Sequence, residues 1–383
     1  MSVADVNPAL RVAGVAVDAV RPTFARVSLG ALRRNLRRLR ARLPDATQVI
    51  GVVKAEAYGH GAVPVARTLL EEGVTFLAVA LVEEARVLRT AGVTAPILLL
   101  TPGYQVDAVE VVALDLTPTV SDLGELAALA SAASERQLGV HLKVDTGMGR
   151  IGFDRTGLAR ALDLLSVSPH LRLAGCMSHL ACADEDAAAI TLEQIERFRA
   201  FRDTVITAGF TDAAFHLANT AGLVRFPEAW FDAVRPGIGL YGYGATEGVE
   251  LEGVLSLQSR VVRLRDLPAG TTVGYGCTFR CRRATRMAIL PIGYADGVSR
   301  ALSNRGEVLI EGRRCPIIGR VNMDLTCVDV TDVPQAREGS PAVLIGGQGR
   351  ETISAQDIAD LLGTIPYEVL CNISARVPRV YAE

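Results

Sequence analysis

Short apolar runs and amphipathic stretches alternate along the first two thirds of the chain. Each run is bounded by turn-forming residues and is rich in valine, isoleucine and leucine, which is typical of buried parallel strands. The amphipathic stretches between them, such as 82–91, 121–133 and 191–208, predict helices. Eight strands are predicted, over 48–54, 76–80, 97–101, 118–120, 140–144, 173–178, 213–217 and 231–234. This alternation favours an α/β fold whose N-terminal part is a closed (β/α)8 barrel of the TIM type.

The pattern changes after about Leu255. The apolar runs become shorter and richer in valine, arginine and glycine, and turn signals occur at 268–270, 304–306 and 311–312. These features predict a mainly-β domain. A chain of 383 residues also exceeds a single typical core. We therefore predict an N-terminal extension over 1–22, a barrel over 23–255 and a C-terminal β domain over 256–383.

The charge of the chain is nearly balanced. With 40 basic and 42 acidic side chains the net charge is −2, which provides no field for nucleic acid or an anionic membrane. A small molecule is the expected partner. No run approaches 18 apolar residues, and the N-terminus lacks a basic start followed by an apolar stretch. We therefore expect a cytoplasmic protein.

Cysteine and histidine are scattered. The seven cysteines and five histidines show no spacing of a disulfide framework, a redox motif or a metal site, so reduced thiols and no metal are predicted. The amphipathic pattern over 31–43 carries six arginines and admits a membrane-surface helix. A barrel helix with a solvated basic face explains the same pattern, because the rest of the chain compensates its charge.

A lysine ends the first predicted strand. In a partly desolvated position the ammonium form of Lys54 is disfavoured, and the neutral amine can attack an aldehyde cofactor such as pyridoxal phosphate. An isolated lysine at a strand end more often extends its ammonium group into solvent. The neighbouring residues favour the catalytic interpretation, because Tyr58 offers a phenol to a phosphate and Gly59 and Gly61 permit a close backbone approach.

The glycine-rich segment 147–152 matches the dinucleotide fingerprint G-x-G-x-x-G. A dinucleotide-binding unit needs an acidic residue about 20 positions further on to bind the ribose. Residues 164–183 include none, which argues against a hydride-transfer enzyme. Arg150 is the informative residue of the segment, since a guanidinium binds the carboxylate of an amino acid with a two-pronged geometry that lysine cannot supply.

These segments resemble two signatures of the bacterial alanine racemases. The sequence VVKAEAYGHG over 52–61 is similar to the motif of their cofactor lysine, and LKVDTGMGRIG over 142–152 is similar to a second signature. Further matching segments are 177–180, 215–221, 234–239, 273–279, 291–297, 320–324 and 366–370, and the resemblance spans roughly 24–381. It implies a pyridoxal-phosphate isomerase of fold type III that interconverts L- and D-alanine for peptidoglycan synthesis.

The resemblance also implies roles for individual residues. Arg235 would face the pyridine nitrogen of the cofactor, oriented by His216, and keep that nitrogen largely unprotonated. The Met323 amide and Arg150 would bind substrate. Lys143 matches a lysine that is often carbamylated, although an ordinary ion pair with Asp145 also explains it. The residues implied to contact the cofactor are Lys54, Tyr58, Arg150, His179, Asn219, Thr220, Arg235, Gly237, Ile238 and Tyr367.

Inversion of an α-carbon takes two groups, one to remove the proton and one to return it on the opposite face. The resemblance assigns these roles to Lys54, acting on the D enantiomer, and Tyr275, acting on the L enantiomer. An aromatic residue in the core of the β domain is the alternative for Tyr275. The family forms head-to-tail homodimers in which each barrel receives the tyrosine of its partner.

Two other functions remain open at this point. An amino-acid decarboxylase of the same architecture would use the same cofactor, but such enzymes usually place an acidic residue at the ring nitrogen, where Arg235 stands here. A non-catalytic pyridoxal-phosphate protein of the single-barrel type would end with the barrel. The sequence departs from the family at Glu56, Thr220 and Asn322, where asparagine or aspartate, serine and cysteine are frequent. Substrate breadth between alanine and serine is not decided, because a small pocket separates them weakly.

Overall fold

The computed structural model describes residues 11–12, 15–16, 21–101, 107–133, 137–244 and 247–383. Most of the predicted extension over 1–22 therefore lies outside the described residues. The chain divides into two compact units. One contains Leu32–Glu252, and the other contains the described residues up to Ala31 together with Gly253–Glu383.

The strands are numbered along the chain. They are β1 (Arg11–Val12), β2 (Val15–Ala16), β3 (Phe24–Ser28), β4 (Gln48–Val52), β5 (Phe76–Val79), β6 (Ile97–Leu99), β7 (Thr117–Val120), β8 (Leu138–Lys143), β9 (Leu171–Met177), β10 (Ala214–His216), β11 (Ala233–Val234), β12 (Leu255–Arg260), β13 (Arg263–Leu267), β14 (Thr272–Val273), β15 (Phe279–Arg280), β16 (Thr285–Leu290), β17 (Glu307–Ile310), β18 (Arg313–Pro316), β19 (Thr326–Asp329), β20 (Pro341–Gln348), β21 (Glu351–Ile353) and β22 (Arg379–Ala382). The α-helices of ordinary hand are Leu29–Arg40, Ala62–Glu71, Val82–Thr90, Ala108–Ala113, Leu123–Ala132, Arg155–Ser166, Ala188–Thr207, Thr220–Arg225, Ala355–Leu362 and Pro366–Cys371.

Strands β4 to β11 form a closed barrel of eight parallel strands. The barrel closes where β11 pairs with β4, with Val234 opposite Val49. The inward side chains of these strands are mostly buried valine, leucine and isoleucine, so the barrel is filled by a packed core. Each of the eight strands lies within two residues of its predicted position. The prediction of a TIM-type barrel is confirmed.

The strand β3 does not belong to the barrel. It pairs antiparallel with β12 and parallel with β22, in the sheet of the second unit. The predicted barrel boundary at 23 differs from the structure, where the barrel unit runs from Leu32 to Glu252. The physical reason is that eight strands already close the barrel, so it has no free edge to accept β3.

The second unit is mainly β, as predicted. Its largest sheet follows the order β18-β17-β20-β12-β3-β22, with β21 paired to β20, and β13-β16-β19 form a separate three-stranded sheet. The turn signal at 311–312 joins β17 to β18, and both of its residues have positive φ, 51° for Glu311 and 73° for Gly312. In neither unit do the described residues include a helix with both the length and the apolar character needed to span a membrane.

Candidate active site at the carboxyl ends of the barrel strands

Lys54, two residues after β4, directly precedes a backbone turn of unusual hand. The four residues Ala55, Glu56, Ala57 and Tyr58 have φ between 51° and 55°, and together they form one left-handed helical turn. Such a conformation costs about 1–2 kcal/mol per residue for an L-amino acid. It persists because its surroundings fix it, for example through the Nδ1 atom of His60, which lies 2.9 Å from the Ala57 carbonyl oxygen. The turn therefore fixes the backbone from which the side chains of Lys54 and Tyr58 extend.

Four positive side chains converge at this end of the barrel. Lys143 ends β8, Arg235 follows β11, and Arg150 lies in the loop after β8. Burial, followed by the positive charges of Arg150, Arg235 and Lys54 in that order, lowers the pKa of the Lys143 amine to about 8. Lys54 and Lys143 are the only lysines in the whole chain. Both lysines of the protein therefore belong to one cationic cluster.

Asp145 does not neutralise Lys143. Its carboxylate accepts the backbone N–H groups of Gly147 and Met148 at 2.9 Å and that of Gly149 at 3.0 Å. Among the described residues, no ion pair joins Lys143 to Asp145, and Asp145 is the weakest influence on the Lys143 pKa. The carboxylate instead fixes the loop that carries Arg150. The glycine-rich segment is therefore an ordered loop and not the start of a nucleotide-binding helix.

The guanidinium of Arg235 is buried and held from several directions. Its Nη2 atom donates to the carbonyl oxygens of Ser178 at 2.7 Å and Leu217 at 2.9 Å, and it lies 3.4 Å from Nδ1 of His179. Its Nη1 atom donates to Nδ1 of His216 at 2.6 Å. Burial lowers the Arg235 pKa to about 9, so the side chain remains a cation at neutral pH. The expected contact of His216 with Arg235 is present.

The buried imidazole of His141 lies on the side of His216 that faces away from Arg235. The Nδ1 atom of His141 lies 2.7 Å from Nε2 of His216. Because an arginine only donates, Nδ1 of His216 accepts, and its Nε2–H then donates to His141. Burial is the first cause that lowers the pKa of both imidazoles, to about 3 for His141, so both rings are neutral at pH 7. Arg235 therefore donates a hydrogen bond to His216, and His216 donates one to His141.

Sequence reasoning missed His141. The available signal was its position two residues before Lys143 on β8, which places both side chains on one face of the strand. A glycine on the neighbouring strand provides the space for the imidazole. A Cβ atom on Gly175 would lie 2.6 Å from Cε1 of His141 and 2.7 Å from the Ala214 carbonyl oxygen. The pair of histidines therefore depends on the absence of a side chain at Gly175.

Substitution of Gly175 by alanine tests this dependence. The added methyl group must displace His141, so the orientation of Arg235 is lost, and we expect kcat/KM to fall by about 10- to 100-fold. Gly139→Ala on β8 is the matched control, because the shortest contact of its Cβ atom would be longer, 3.2 Å to the side chain of Ala174. Steady-state kinetics and imidazole NMR signals of both variants provide the measurement. Equal behaviour of the two variants would contradict the assigned role of the histidine pair.

A cradle suited to a phosphate forms where β10 and β11 end. The Thr220 hydroxyl accepts the N–H groups of Gly237 at 3.1 Å and Gly239 at 3.2 Å, which leaves its own proton free to donate. A Cβ atom added to Gly237 would lie 2.3 Å from the Tyr58 phenol oxygen, and one added to Gly239 would lie 2.5 Å from Cγ2 of Thr220. The two hydroxyl groups and the backbone are thus packed at a distance that only glycine permits. This arrangement fits the phosphate group of pyridoxal phosphate.

Two further residues of the expected cofactor site lie beside this cradle. Ile238 begins the 3-10 helix Ile238–Tyr241, so its N–H group has no partner within the helix. The Oδ1 atom of Asn219 accepts the Gly222 N–H at 2.9 Å and caps the helix Thr220–Arg225. Asn219 therefore orients the helix that carries Thr220.

Gln194 joins two of the loops that carry site residues. Its Nε2 atom donates to Oγ1 of Thr146 at 3.2 Å and to the carbonyl oxygen of His179 at 3.1 Å. Its Oε1 atom accepts the Ala181 N–H at 2.8 Å. Gln194 is buried in the helix Ala188–Thr207, far in sequence from each partner, so no local motif identifies this contact.

The remaining expected site residues belong to the second unit. Tyr275 is 71% exposed and stands between Gly274 and Gly276, whose φ values are 72° and 71°. The guanidinium of Arg320 lies against Gly276, since a Cβ atom there would be 3.2 Å from its Cζ. An exposed tyrosine in a glycine turn rules out the alternative of a core aromatic. Tyr367 is half-buried in the helix Pro366–Cys371.

Two segments that were matched separately in the sequence pack together in this unit. The N–H of Tyr294 donates to the Asn322 carbonyl oxygen at 2.9 Å, and that of Ala295 donates to the Met323 carbonyl oxygen at 3.0 Å. A Cβ atom on Gly293 would lie only 2.3 Å from the Asn322 oxygen. The packing fixes the backbone at Met323, whose side chain is 53% exposed.

Comparison with known proteins agrees with this geometry over nearly the whole chain. The profile of the family "Alanine racemase, N-terminal domain" matches residues 27–245, and that of "Alanine racemase, C-terminal domain" matches residues 254–381. The chain belongs to the alanine racemase family. An alanine racemase of Sorangium cellulosum is 47% identical over 95% of this chain and 100% of that protein. An alanine racemase of Symbiobacterium thermophilum is 44% identical over 95% of this chain and 98% of that protein.

Solved structures of the same family superpose on this chain. Alanine racemase from Bacillus anthracis with bound L-Ala-P matches with a TM-score of 0.89 and 36% identity, covering 96% of each chain. Alanine racemase from Streptomyces lavendulae matches with a TM-score of 0.90 and 34% identity, covering 96% of this chain and 98% of that one. The protein is accordingly a racemase of the isomerase class, and its family uses pyridoxal phosphate.

Proposed function

We propose that this protein interconverts L-alanine and D-alanine with pyridoxal phosphate, by a two-base mechanism that supplies D-alanine for peptidoglycan synthesis. The observation that carries the proposal is the cluster of Lys54, Lys143, Arg150 and Arg235 beside the cradle of Thr220 and Gly237, in a chain related to an alanine racemase over 95% of its length. The proposal includes a cytoplasmic location, which is general in this family.

Residues of the barrel unit would hold the cofactor. Lys54 would bind its aldehyde covalently, while Tyr58, Thr220 and the backbone at Gly237 and Ile238 would bind its phosphate, together with Tyr367. When bound, pyridoxal phosphate withdraws electrons from the α-carbon of the substrate and so acidifies its proton. Asn219 supports Thr220, because its Oδ1 atom accepts the Gly222 N–H at 2.9 Å and so caps the helix that begins at Thr220.

Arg235 would contact the ring nitrogen of the cofactor. Its cationic side chain, held by His216 and the Ser178 carbonyl oxygen, donates and does not accept a proton at neutral pH. A decarboxylase of the same architecture usually carries an acidic residue at this position, so Arg235 argues against decarboxylation. His179, at 3.4 Å from Arg235, would line the same side of the ring.

Two residues would move the proton of the substrate. In one direction the neutral Lys54 amine would take the α-proton while the Tyr275 phenol gives its own proton to the opposite face. In the other direction the Tyr275 phenolate would take the α-proton while the Lys54 ammonium gives one. Arg150 would bind the substrate carboxylate, with the backbone amide of Met323 completing the site. The Asp145 carboxylate, through its three bonds to the loop, would keep Arg150 in place.

We further propose that the active enzyme is a homodimer in which each barrel receives Tyr275 of the second subunit. The exposure of apolar side chains on the second unit supports this proposal. Tyr275 is 71% exposed, Met323 53%, Tyr294 42% and Leu325 39%, which is unusual for large apolar side chains in a protein that acts alone. Sedimentation of the purified protein, and recovery of activity on mixing Lys54 and Tyr275 variants, test it.

The central experiment combines cofactor mapping with polarimetry. Borohydride reduction of the coenzyme-loaded protein should place a pyridoxyl group on Lys54, and assignment is simple because Lys143 is the only other lysine. Polarimetry should then show inversion of L-alanine and D-alanine, and the same assay with serine measures the breadth of the substrate site. A protein that stays colourless with added coenzyme, or that releases carbon dioxide from amino acids without inverting them, would refute the proposal.

We also propose that Lys143 carries a carbamate. A neutral amine adds to carbon dioxide, giving a carbamate anion and one released proton, and the lowered pKa of about 8 raises the neutral fraction of Lys143. The carbamate anion would provide a negatively charged partner for the Arg150 guanidinium. With labelled bicarbonate we expect one carbamate carbon signal, absent in Lys143→Arg and weakening as the pH falls below about 8. A density map with a free amine at neutral pH would exclude it.

A further inference from the structure

The carboxylate of Glu84 bridges two segments of the barrel that are distant in sequence. Glu84 lies in the first turn of the helix Val82–Thr90. Its Oε1 atom accepts the backbone N–H of Ala55 at 2.6 Å. Its Oε2 atom accepts the N–H of Ala80 at 2.7 Å and that of Leu81 at 3.1 Å. The two oxygen atoms therefore serve different parts of the chain.

The bonds of Oε2 have an ordinary explanation. A glutamate or glutamine at the third helical position commonly accepts the backbone N–H of the residue that caps the helix, which here is Leu81. The bond of Oε1 has no such explanation, because Ala55 is 29 residues away. Ala55 is the residue directly after Lys54 and the first residue of the left-handed turn. The second oxygen of Glu84 is thus directed at the backbone that carries the lysine.

The left-handed turn needs contacts of this kind. Ala55 and Glu56 are exposed, so burial of their side chains does not hold this part of the turn. At the other end of the segment, Oε2 of Glu56 accepts the N–H of Ala62 at 3.1 Å, at the start of the next helix. One carboxylate therefore binds the first residue of the turn, and another joins the turn to the helix that follows it. A carboxylate–amide bond is among the stronger hydrogen bonds in proteins.

We infer that Glu84 is a positioning residue for Lys54, because it ties the peptide after the lysine to the end of the second barrel strand. The tie holds the left-handed turn in place, and with it the direction in which the Lys54 side chain leaves the backbone. The inference rests on the proposed function only in giving Lys54 its cofactor. The bond between Glu84 and Ala55 itself is a property of the chain without any ligand.

The substitution Glu84→Gln separates this role from helix capping. Glutamine has one accepting oxygen and an amide group that only donates, so it cannot serve both sets of N–H groups. It is a normal capping residue at this helical position, so the helix keeps its cap and the bond to Ala55 is lost. We expect hydrogen exchange at the Ala55 amide to accelerate by about 10- to 100-fold, as loss of a charged hydrogen bond implies.

Three further measurements complete the test. In protein labelled with [ζ-15N]lysine only two side-chain signals arise, and the Lys54 signal should shift or broaden while that of Lys143 stays in place. The dissociation constant for pyridoxal phosphate should rise by about 10-fold, and kcat should fall more than KM rises. The matched control is Glu83→Gln, which removes the same charge from the same helix turn at an exposed position and should change none of these quantities.

The outcomes are distinguishable. Unchanged Ala55 exchange and an unchanged Lys54 signal in Glu84→Gln would overturn the inference, whatever the activity. Equal effects of Glu83→Gln and Glu84→Gln would also overturn it, since they would report only the lost charge. If the unsubstituted protein binds no coenzyme while Ala55 exchange still accelerates in Glu84→Gln, the proposed function fails and the tie stands.

Discussion

The variant Tyr275→Phe is expected to lose racemisation in both directions, by about 10²- to 10⁴-fold, while keeping the colour of the bound cofactor. Inversion requires a proton donor on each face of the α-carbon, and phenylalanine supplies none. Lys54 is unaffected by the change, so D-alanine should still exchange its α-hydrogen with solvent. Polarimetry measures the first effect, and mass spectrometry of D-alanine recovered from heavy water measures the second.

The control for this variant is Tyr381→Phe, which removes one hydroxyl group from β22 in the same unit. It should leave both rates within about 2-fold of the original, because no role in the reaction is assigned to it. Turnover of both enantiomers by Tyr275→Phe at more than a tenth of the original rate would refute the assignment of two bases. Loss of α-hydrogen exchange from both enantiomers would show that Tyr275 also positions the substrate.

Replacement of Lys54 is expected to have the largest effect. Both Lys54→Ala and Lys54→Arg should lose activity by about 10⁴-fold or more, since neither side chain provides a neutral amine at pH 7. Added methylamine should restore part of the activity to the alanine variant, where the amine fits the vacated space. It should not restore the arginine variant, where that space is filled.

Borohydride labelling and stopped assays with and without methylamine provide the measurement for these variants. Arginine preserves the positive charge of Lys54 in the cluster, so the comparison separates charge from nucleophilicity. If Lys54→Arg retains activity within 10-fold of the original, covalent attachment through this residue is wrong. Labelling of Lys143 in the unsubstituted protein would point to the same error.

Much of the fold follows from periodicity. The eight barrel strands are predictable because buried parallel strands are short, apolar and bounded by turn residues, and all eight are observed close to their predicted positions. The strand β3 has the same local appearance, yet it joins the other unit. Its partners lie more than 200 residues further along the chain, so no local pattern identifies them.

The site residues that the sequence revealed are those in compact motifs. Lys54, Arg150 and Tyr275 stand among glycines, which mark backbone that approaches a ligand or turns sharply. His141, Gln194 and Glu84 each make one hydrogen bond to a distant partner, 75, 48 and 29 residues away respectively, and single-sequence patterns do not show such contacts. Counting lysine separately from arginine would have added a strong signal, since both lysines lie in the site.

The left-handed turn after Lys54 was not predictable for a different reason. Alanine, glutamate and tyrosine all disfavour positive φ, so the sequence at 55–58 argues against the observed conformation. Tertiary contacts impose it, as expected for a functional segment whose local preferences conflict with the fold.

The parallel pairing of β3 with β22 has a consequence for biosynthesis. Ala25 lies opposite Arg379, so the edge of this sheet joins residues that are about 350 positions apart in the sequence. A ribosome releases the barrel segment long before it releases β22, and β3 therefore lacks its outer neighbour while about 350 residues are made. The whole barrel segment is therefore synthesised before the sheet that contains β3 can be completed.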